Sequence, residues 1–146
     1  MTITKMTEAH IGQIAELEKI CFNDPWSENS IASELNNRLS CWLVAIEDGK
    51  VIGYLGSQTV LGETDMMNIA VHPDYRKNGI ASNLIGELIS TLMEQGSHSL
   101  MLEVRESNEP AKSLYLKLGF DVVGVRKNYY RNPKENALIL RKEWDL

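Results

Sequence analysis

Between Val71 and Ala81 the chain reads VHPDYRKNGIA: a strand end, a short basic turn, and the first residues of a long helix. The first turn of a helix leaves N–H groups without partners, and its aligned peptide dipoles amount to roughly half a positive charge. Gly79 and Ala81 let a ligand approach that backbone closely, while Arg76 and Lys77 add full charges. Such a turn suits a pyrophosphate held mainly by main-chain donors, with Arg76 supplying a directed contact. The same Arg-x-x-Gly-x-Ala spacing also fits an ordinary helix start with a solvated basic turn. It is neither the three-glycine dinucleotide fingerprint nor a P-loop, which needs Gly-Lys-Ser/Thr.

Two other residue types carry potential chemistry. Glu103 interrupts an apolar strand in which Leu100, Leu102 and Val104 face one way and Met101, Glu103 and Arg105 the other. It is either the partner of Arg105 or another basic residue, or a general base acting directly or through water. Tyr115 lies at the edge of a stripe formed by Ala111, Leu114 and Leu118, where its plain reading is a core tyrosine with a satisfied hydroxyl. Cys21 and Cys41 lack CxxC spacing, and His10, His72 and His98 are too scattered for a metal set, so free thiols and no metal are expected.

The elements that must position these residues can be read from periodicity. Ala9 to Phe22 has helical spacing through Ile11, Ile14, Leu17 and Cys21, with one polar intrusion at Glu18. Ser27 then reads as the N-cap of a second helix with Ile31 and Leu35 on its apolar side. Cys41 to Glu47, the turn Asp48-Gly49, and Lys50 to Val60 form a hairpin, and Thr64 to Val71 extends it to an antiparallel meander ended by Pro73. Ile80, Leu84, Ile85, Leu88, Ile89, Leu92 and Met93 make a helical stripe that stops at Gly96. Leu100 to Arg105 is so nearly continuous in apolar residues that helices are expected on both faces of the sheet, and strand, helix, strand implies a parallel crossover. Asn108 caps a short helix closed by Leu118-Gly119-Phe120, and two last strands, Asp121 to Tyr129 and Ala137 to Lys142, join through Asn132-Pro133.

The chain has 146 residues, 43% hydrophobic and 24% charged, which fits one ordinary folded domain spanning 1–146. Its apolar runs are too short for a membrane span, and with no secretory signal pattern the expectation is a soluble cytoplasmic protein. A net charge of −5 argues against general nucleic-acid binding. Residues 1–100 carry 6 basic against 13 acidic side chains and the remainder 9 against 7. An acidic front half would attract a basic peptide, although a solvated acidic surface explains the bias equally well.

Four blocks, in order, resemble the GCN5-related N-acetyltransferase family across nearly the whole chain. They are Asn68-Ile69-Ala70-Val71 with the Arg76–Ala81 turn, Leu102-Glu103-Val104-Arg105, Asn108 to Tyr115, and Leu118-Gly119-Phe120. Pro25-Trp26-Ser27, the run from Leu102 to Asn108, and Arg126-Lys127-Asn128-Tyr129-Tyr130 are most similar to the RimI-type members, which acetylate the N-terminal alanine of a small-subunit ribosomal protein.

The resemblance implies an α/β (α+β) fold with a mixed, mostly antiparallel sheet of about seven strands and about four helices. It implies acetyl-CoA as cosubstrate, with Ile69, Ala70 and Val71 along the pantetheine arm and thioester. Arg76, Lys77, Asn78, Gly79, Ile80 and Ala81 would take the pyrophosphate, and Asn108 the pantetheine amides. Glu103 would serve as base and Tyr115 would protonate the coenzyme A thiolate. Trp26, Tyr129 and Tyr130 would flank the acceptor, a protein N-terminus of a basic ribosomal protein, although packing explains each of these aromatics as well. The implied enzyme works as a monomer or weak homodimer; lysine side chains or small amines remain alternative acceptors, and a non-catalytic acetyl-CoA sensor a further alternative. An α-amine is roughly a tenth or more neutral at pH 7, a lysine less than about 0.1%, so one modest base suffices for the former.

Overall fold

The computed structural model describes residues 1–145. One seven-stranded sheet, ordered β1-β2-β3-β4-β5-β7-β6, forms the frame. Its strands are β1 (Thr2–Lys5), β2 (Ser40–Glu47), β3 (Lys50–Val60), β4 (Glu63–Val71), β5 (Ser99–Arg105), β6 (Asp121–Tyr130) and β7 (Glu135–Glu143). Four helices cover it: α1 (Ile11–Cys21), α2 (Glu28–Glu34), α3 (Ile80–Glu94) and α4 (Glu109–Lys117). All neighbouring strands are antiparallel except β4 and β5, so the mixed, mostly antiparallel sheet expected from the sequence is present.

Local chemistry sets the turns. Asp48 and Gly49 have φ of 50° and 78°, the left-handed pair that a two-residue hairpin between right-twisted strands requires. Leu61 and Gly62 repeat it at 51° and 81° between β3 and β4. Ser27 caps α2 by accepting from the Ser30 N–H at 3.1 Å, and Asn108 caps α4 by accepting from the Ala111 N–H at 3.3 Å.

Two apolar clusters lie on opposite faces of the sheet. Leu84, Ile85, Leu88 and Leu92 of α3 and Tyr115 of α4 pack against Leu43, Leu55, Leu100, Leu102 and Phe120 on one face. On the other, Ile14 and Leu17 of α1 and Ile31 of α2 pack against Trp42, Val44 and Tyr54. Trp42 stacks on Tyr54 with centroids 5.9 Å apart, and its indole occupies the space over Gly56, where a Cβ would meet the ring at 2.3 Å.

Some expectations need correction. The first helix begins two residues later than Ala9, because Glu8–His10 is a single 3₁₀ turn. Leu35 and Met93 are exposed; α2 buries Glu34 instead, which accepts from Asn37, Ser40 and Gln58. β5 is not covered on both faces: Leu100, Leu102 and Val104 are buried, while Met101, Glu103 and Arg105 stay half-exposed. The stretch read as continuous is in fact alternating, and its second face lines an opening in the sheet.

That opening follows from register. β4 pairs with β5 only from Glu63 to Asp65, opposite Ser99 to Met101. Opposite β3, Gly56 pairs with Asn68 and Ser57 with Met66, leaving Met67 as a bulged residue. A bulge kinks its strand and sharpens the twist. Beyond it, Asn68 to Val71 keep their ladder to β3 and lose the one to β5. Apart from the Val71 carbonyl, which accepts from Arg76, the main-chain groups on that side have no strand partner.

Candidate active site

The gap between β4 and β5 runs toward the basic turn at the start of α3. There Lys77 and Gly79 both take left-handed conformations, with φ of 67° and 75°. The first helical hydrogen bond joins the Asn83 N–H to the Gly79 carbonyl at 3.0 Å, so the N–H groups of Ile80, Ala81 and Ser82 lie before it. No side chain caps this helix among the described residues. Arg76 folds back toward the strand: its Nε donates to the Val71 carbonyl at 3.1 Å, and one terminal nitrogen lies 3.6 Å from the Cys21 sulfur. Asn78 donates to the Tyr75 carbonyl at 3.1 Å and stiffens the turn.

The side chains of this stretch divide between layers. Ile80 is buried against α3's own cluster and Ala70 against the α1/α2 cluster, so either can offer a ligand only its main chain. Asn108 spends its carboxamide oxygen on the α4 cap, leaving its NH2 to donate.

Of the two titratable candidates, Glu103 lies on β5 beside the gap and Tyr115 in the core beneath α4. Glu103 is ion-paired, but with Arg126 of β6, Nε to Oε1 at 3.2 Å, rather than with Arg105. The glutamate is 22% exposed and the arginine 49%, so the pair is open to solvent and contributes about 1 kcal/mol or less. Arg105 is committed elsewhere. It donates to the carbonyls of Arg131 and Pro133, each at 2.9 Å, pairs with Glu135 at 3.2 Å, and lies 4.4 Å from the Tyr130 ring centroid. It thereby pins the turn between β6 and β7.

Tyr115 is the one fully buried residue of α4, set edge-on to Phe120 with centroids 5.7 Å apart. Burial, and then the nearby Tyr130, push its hydroxyl pKa up. Tyr130 is pushed up to about 12 by burial first, then by Tyr129 and Glu103. Tyr130 also packs under Arg105, whose guanidinium carbon lies 4.4 Å from its ring centroid. Tyr129 is exposed and edge-on to Tyr130 at 5.1 Å.

Trp26 lies on the other wall, edge-on to Trp42 at 5.4 Å, with its main-chain N–H donating to Glu18 Oε1 at 2.8 Å. The two walls touch. Asn23 Nδ2 donates to the Asn132 carbonyl at 2.7 Å, and Asn132 Nδ2 lies 3.4 Å from Asp24. The α1–α2 loop and the β6–β7 turn therefore close over the cleft like two sides of an arch.

Sequence reasoning missed Arg126 as the partner of Glu103, Arg105 as the clamp, and the Asn23–Asn132 contact, none of which has a local signal. It noted Glu18 as a polar intrusion without seeing why. Glu18 is 1% exposed and also accepts from Tyr54 and from Asn68, the latter at 2.9 Å.

Among the described residues no group of His, Cys, Asp and Glu could hold a metal, and no helix is long and apolar enough to cross a membrane. Comparison with known proteins agrees with this geometry. A [ribosomal protein bS18]-alanine N-acetyltransferase of Haemophilus influenzae is 40% identical over 144 residues, covering 96% of this chain and 97% of that one. Its namesake from Escherichia coli strain K12 is 35% identical over 141 residues, 95% of each. The crystal structure of the ribosomal-protein-S18-alanine N-acetyltransferase from Escherichia coli superposes with a TM-score of 0.91 at 33% identity, covering 99% of this chain and 94% of that one. The model of the acetyltransferase (GNAT) family matches residues 11–120, and this chain is a member of that family.

Proposed function

We propose that this protein transfers the acetyl group of acetyl-CoA to the N-terminal α-amine of a ribosomal protein, the first residue being alanine. The observation that carries the reading is the 35–40% identity, over nearly all of each chain, to enzymes named for that reaction on bS18. The geometry supports it at three points. The edge of β4 that β5 leaves unpaired, the turn Arg76–Ala81 and the Asn108 NH2 offer donors suited to pantetheine and pyrophosphate. Glu103 faces the opening from β5, where its carboxylate is partly exposed and paired only with a solvent-open arginine. The arch over the cleft favours a chain end over a side chain projecting from an extended backbone.

The chemistry is direct transfer. The neutral amine nitrogen bonds to the thioester carbonyl carbon, the C–S bond breaks, Glu103 accepts the amine's proton, and the thiolate leaves. Tyr115 stays a neutral phenol at physiological pH, because burial disfavours its anion. Passing its proton fully to a thiolate with an ordinary pKa near ~8.5 is uphill, so it serves chiefly as a hydrogen-bond donor to sulfur as charge develops. Trp26, Tyr129 and Tyr130 line the acceptor side. The chain acts in the cytoplasm as a single domain and as a monomer or weak homodimer, on a basic partner drawn to its acidic N-terminal part.

Mass spectrometry tests this with a free Ala-start basic peptide, an N-blocked lysine peptide and a polyamine. Acetylation of the first alone, lost in Glu103→Gln, is the expected result. Modification confined to lysine or polyamine would overturn the N-terminal reading.

A further inference from the structure

We infer that Glu18 is a positioning residue: its buried carboxylate locks the acceptor wall of the cleft to the cofactor wall. The inference rests on the proposed function for what each wall binds. Glu18 projects from α1 into the α1/α2 cluster, where it is 1% exposed and burial raises its pKa. Three donors from three elements meet it. Oε1 accepts from the Trp26 N–H of the α1–α2 loop, at 2.8 Å; Oε2 accepts from the Tyr54 hydroxyl of β3 and from the Asn68 NH2 of β4, the latter at 2.9 Å.

The placement of these donors gives the carboxylate its meaning. Asn68 is the first residue past the Met67 bulge, on the stretch of β4 that no longer pairs with β5. Trp26 lies near the end of the loop whose Asn23 and Asp24 meet Asn132 across the cleft. A buried carboxylate is costly, and an all-apolar cluster in place of Glu18 and its side-chain donors together would hold the fold as well or better. What an apolar residue cannot do is bond the loop and the diverging strand through one rigid group. A glutamine has one acceptor oxygen in place of two; with the donors as they stand it satisfies either the Trp26 N–H or the Tyr54 and Asn68 pair.

Glu18→Gln should therefore raise the peptide KM about tenfold, the scale of one charge-assisted hydrogen bond, while acetyl-CoA affinity measured by calorimetry stays within about twofold. Acrylamide quenching of tryptophan fluorescence should increase as Trp26 loosens. Should Glu18→Gln fail to fold, Asn68→Ala keeps the Trp26 bond but severs it from β4, and should raise the peptide KM about threefold. An unchanged peptide KM in the folded variants, or a lowered Tm alone, overturns the inference. If the wild type acetylates no peptide, the proposed function fails, and the quenching result still decides whether Glu18 holds the loop.

Discussion

Asn23 donates its side-chain NH2 to the Asn132 carbonyl at 2.7 Å, joining segments 109 residues apart in the chain. One belongs to the loop after α1, the other to the turn between β6 and β7, and together they roof the cleft beside Trp26 and Tyr130. The hydrogen bond is exposed, so its worth lies near the lower end of about 0.5–1.5 kcal/mol. Its effect on function is geometric.

Asn23→Ala should leave Tm nearly unchanged while loosening that roof. The expected outcome is a fall of about threefold to tenfold in the preference for a free Ala-start peptide over an N-blocked lysine peptide, scored by competition in one reaction. Unaltered selectivity would show that the arch does not discriminate between acceptors.

Glu103→Gln removes the proposed base and keeps the side chain's size. Turnover should fall by about 10²–10⁴-fold, the ordinary worth of general-base catalysis, with acetyl-CoA binding preserved. Arg126→Ala is the companion experiment. Because the ion pair is solvent-open, losing the arginine should cost less than about tenfold in kcat/KM.

Arg76→Ala should raise the KM for acetyl-CoA about tenfold without altering the peptide KM, since the guanidinium is placed at the proposed phosphate turn by its bond to the Val71 carbonyl. The salt dependence of acetyl-CoA binding should weaken in the same variant. Gly79→Ala tests the main chain at the same turn: with φ at 75°, a side chain there is strained by about 1 kcal/mol even though nothing obstructs a Cβ.

The pH dependence of stability should carry the signature of Glu18. Burial raises its pKa above 4.5, so the folded chain holds this proton over a range in which the unfolded chain has released it. Stability from this group is therefore full below the unfolded value and declines as pH rises through the folded one. The Tm of the wild type minus that of Glu18→Gln should fall on going from about pH 4 to pH 8. A difference that is flat or rising across that range would show that the carboxylate's three donors outweigh its burial.

Much of this protein is written locally. The glycines at 49, 62, 79 and 96 all take left-handed conformations that mark turns or helix ends, and the stripe from Ile80 to Leu92 specifies α3 because a helix brings every third or fourth residue onto one side. The basic turn before α3 is likewise local, since strand, turn and helix start are contiguous in the chain. Glu103 could be placed on the face opposite Leu102 by the two-residue period of a strand. What that face looks onto could not be read the same way. The opening between β4 and β5 depends on the Met67 bulge, a matter of register between strands and not of any residue type. The choice of Arg126 over Arg105 for Glu103 depends on β7 inserting between β5 and β6, and the arch depends on two loops more than a hundred residues apart. Glu18 shows the division within a single residue. Its helical phase puts it among apolar neighbours, but the three donors that make its charge tolerable there come from β3, β4 and a loop, and only the folded chain brings them together.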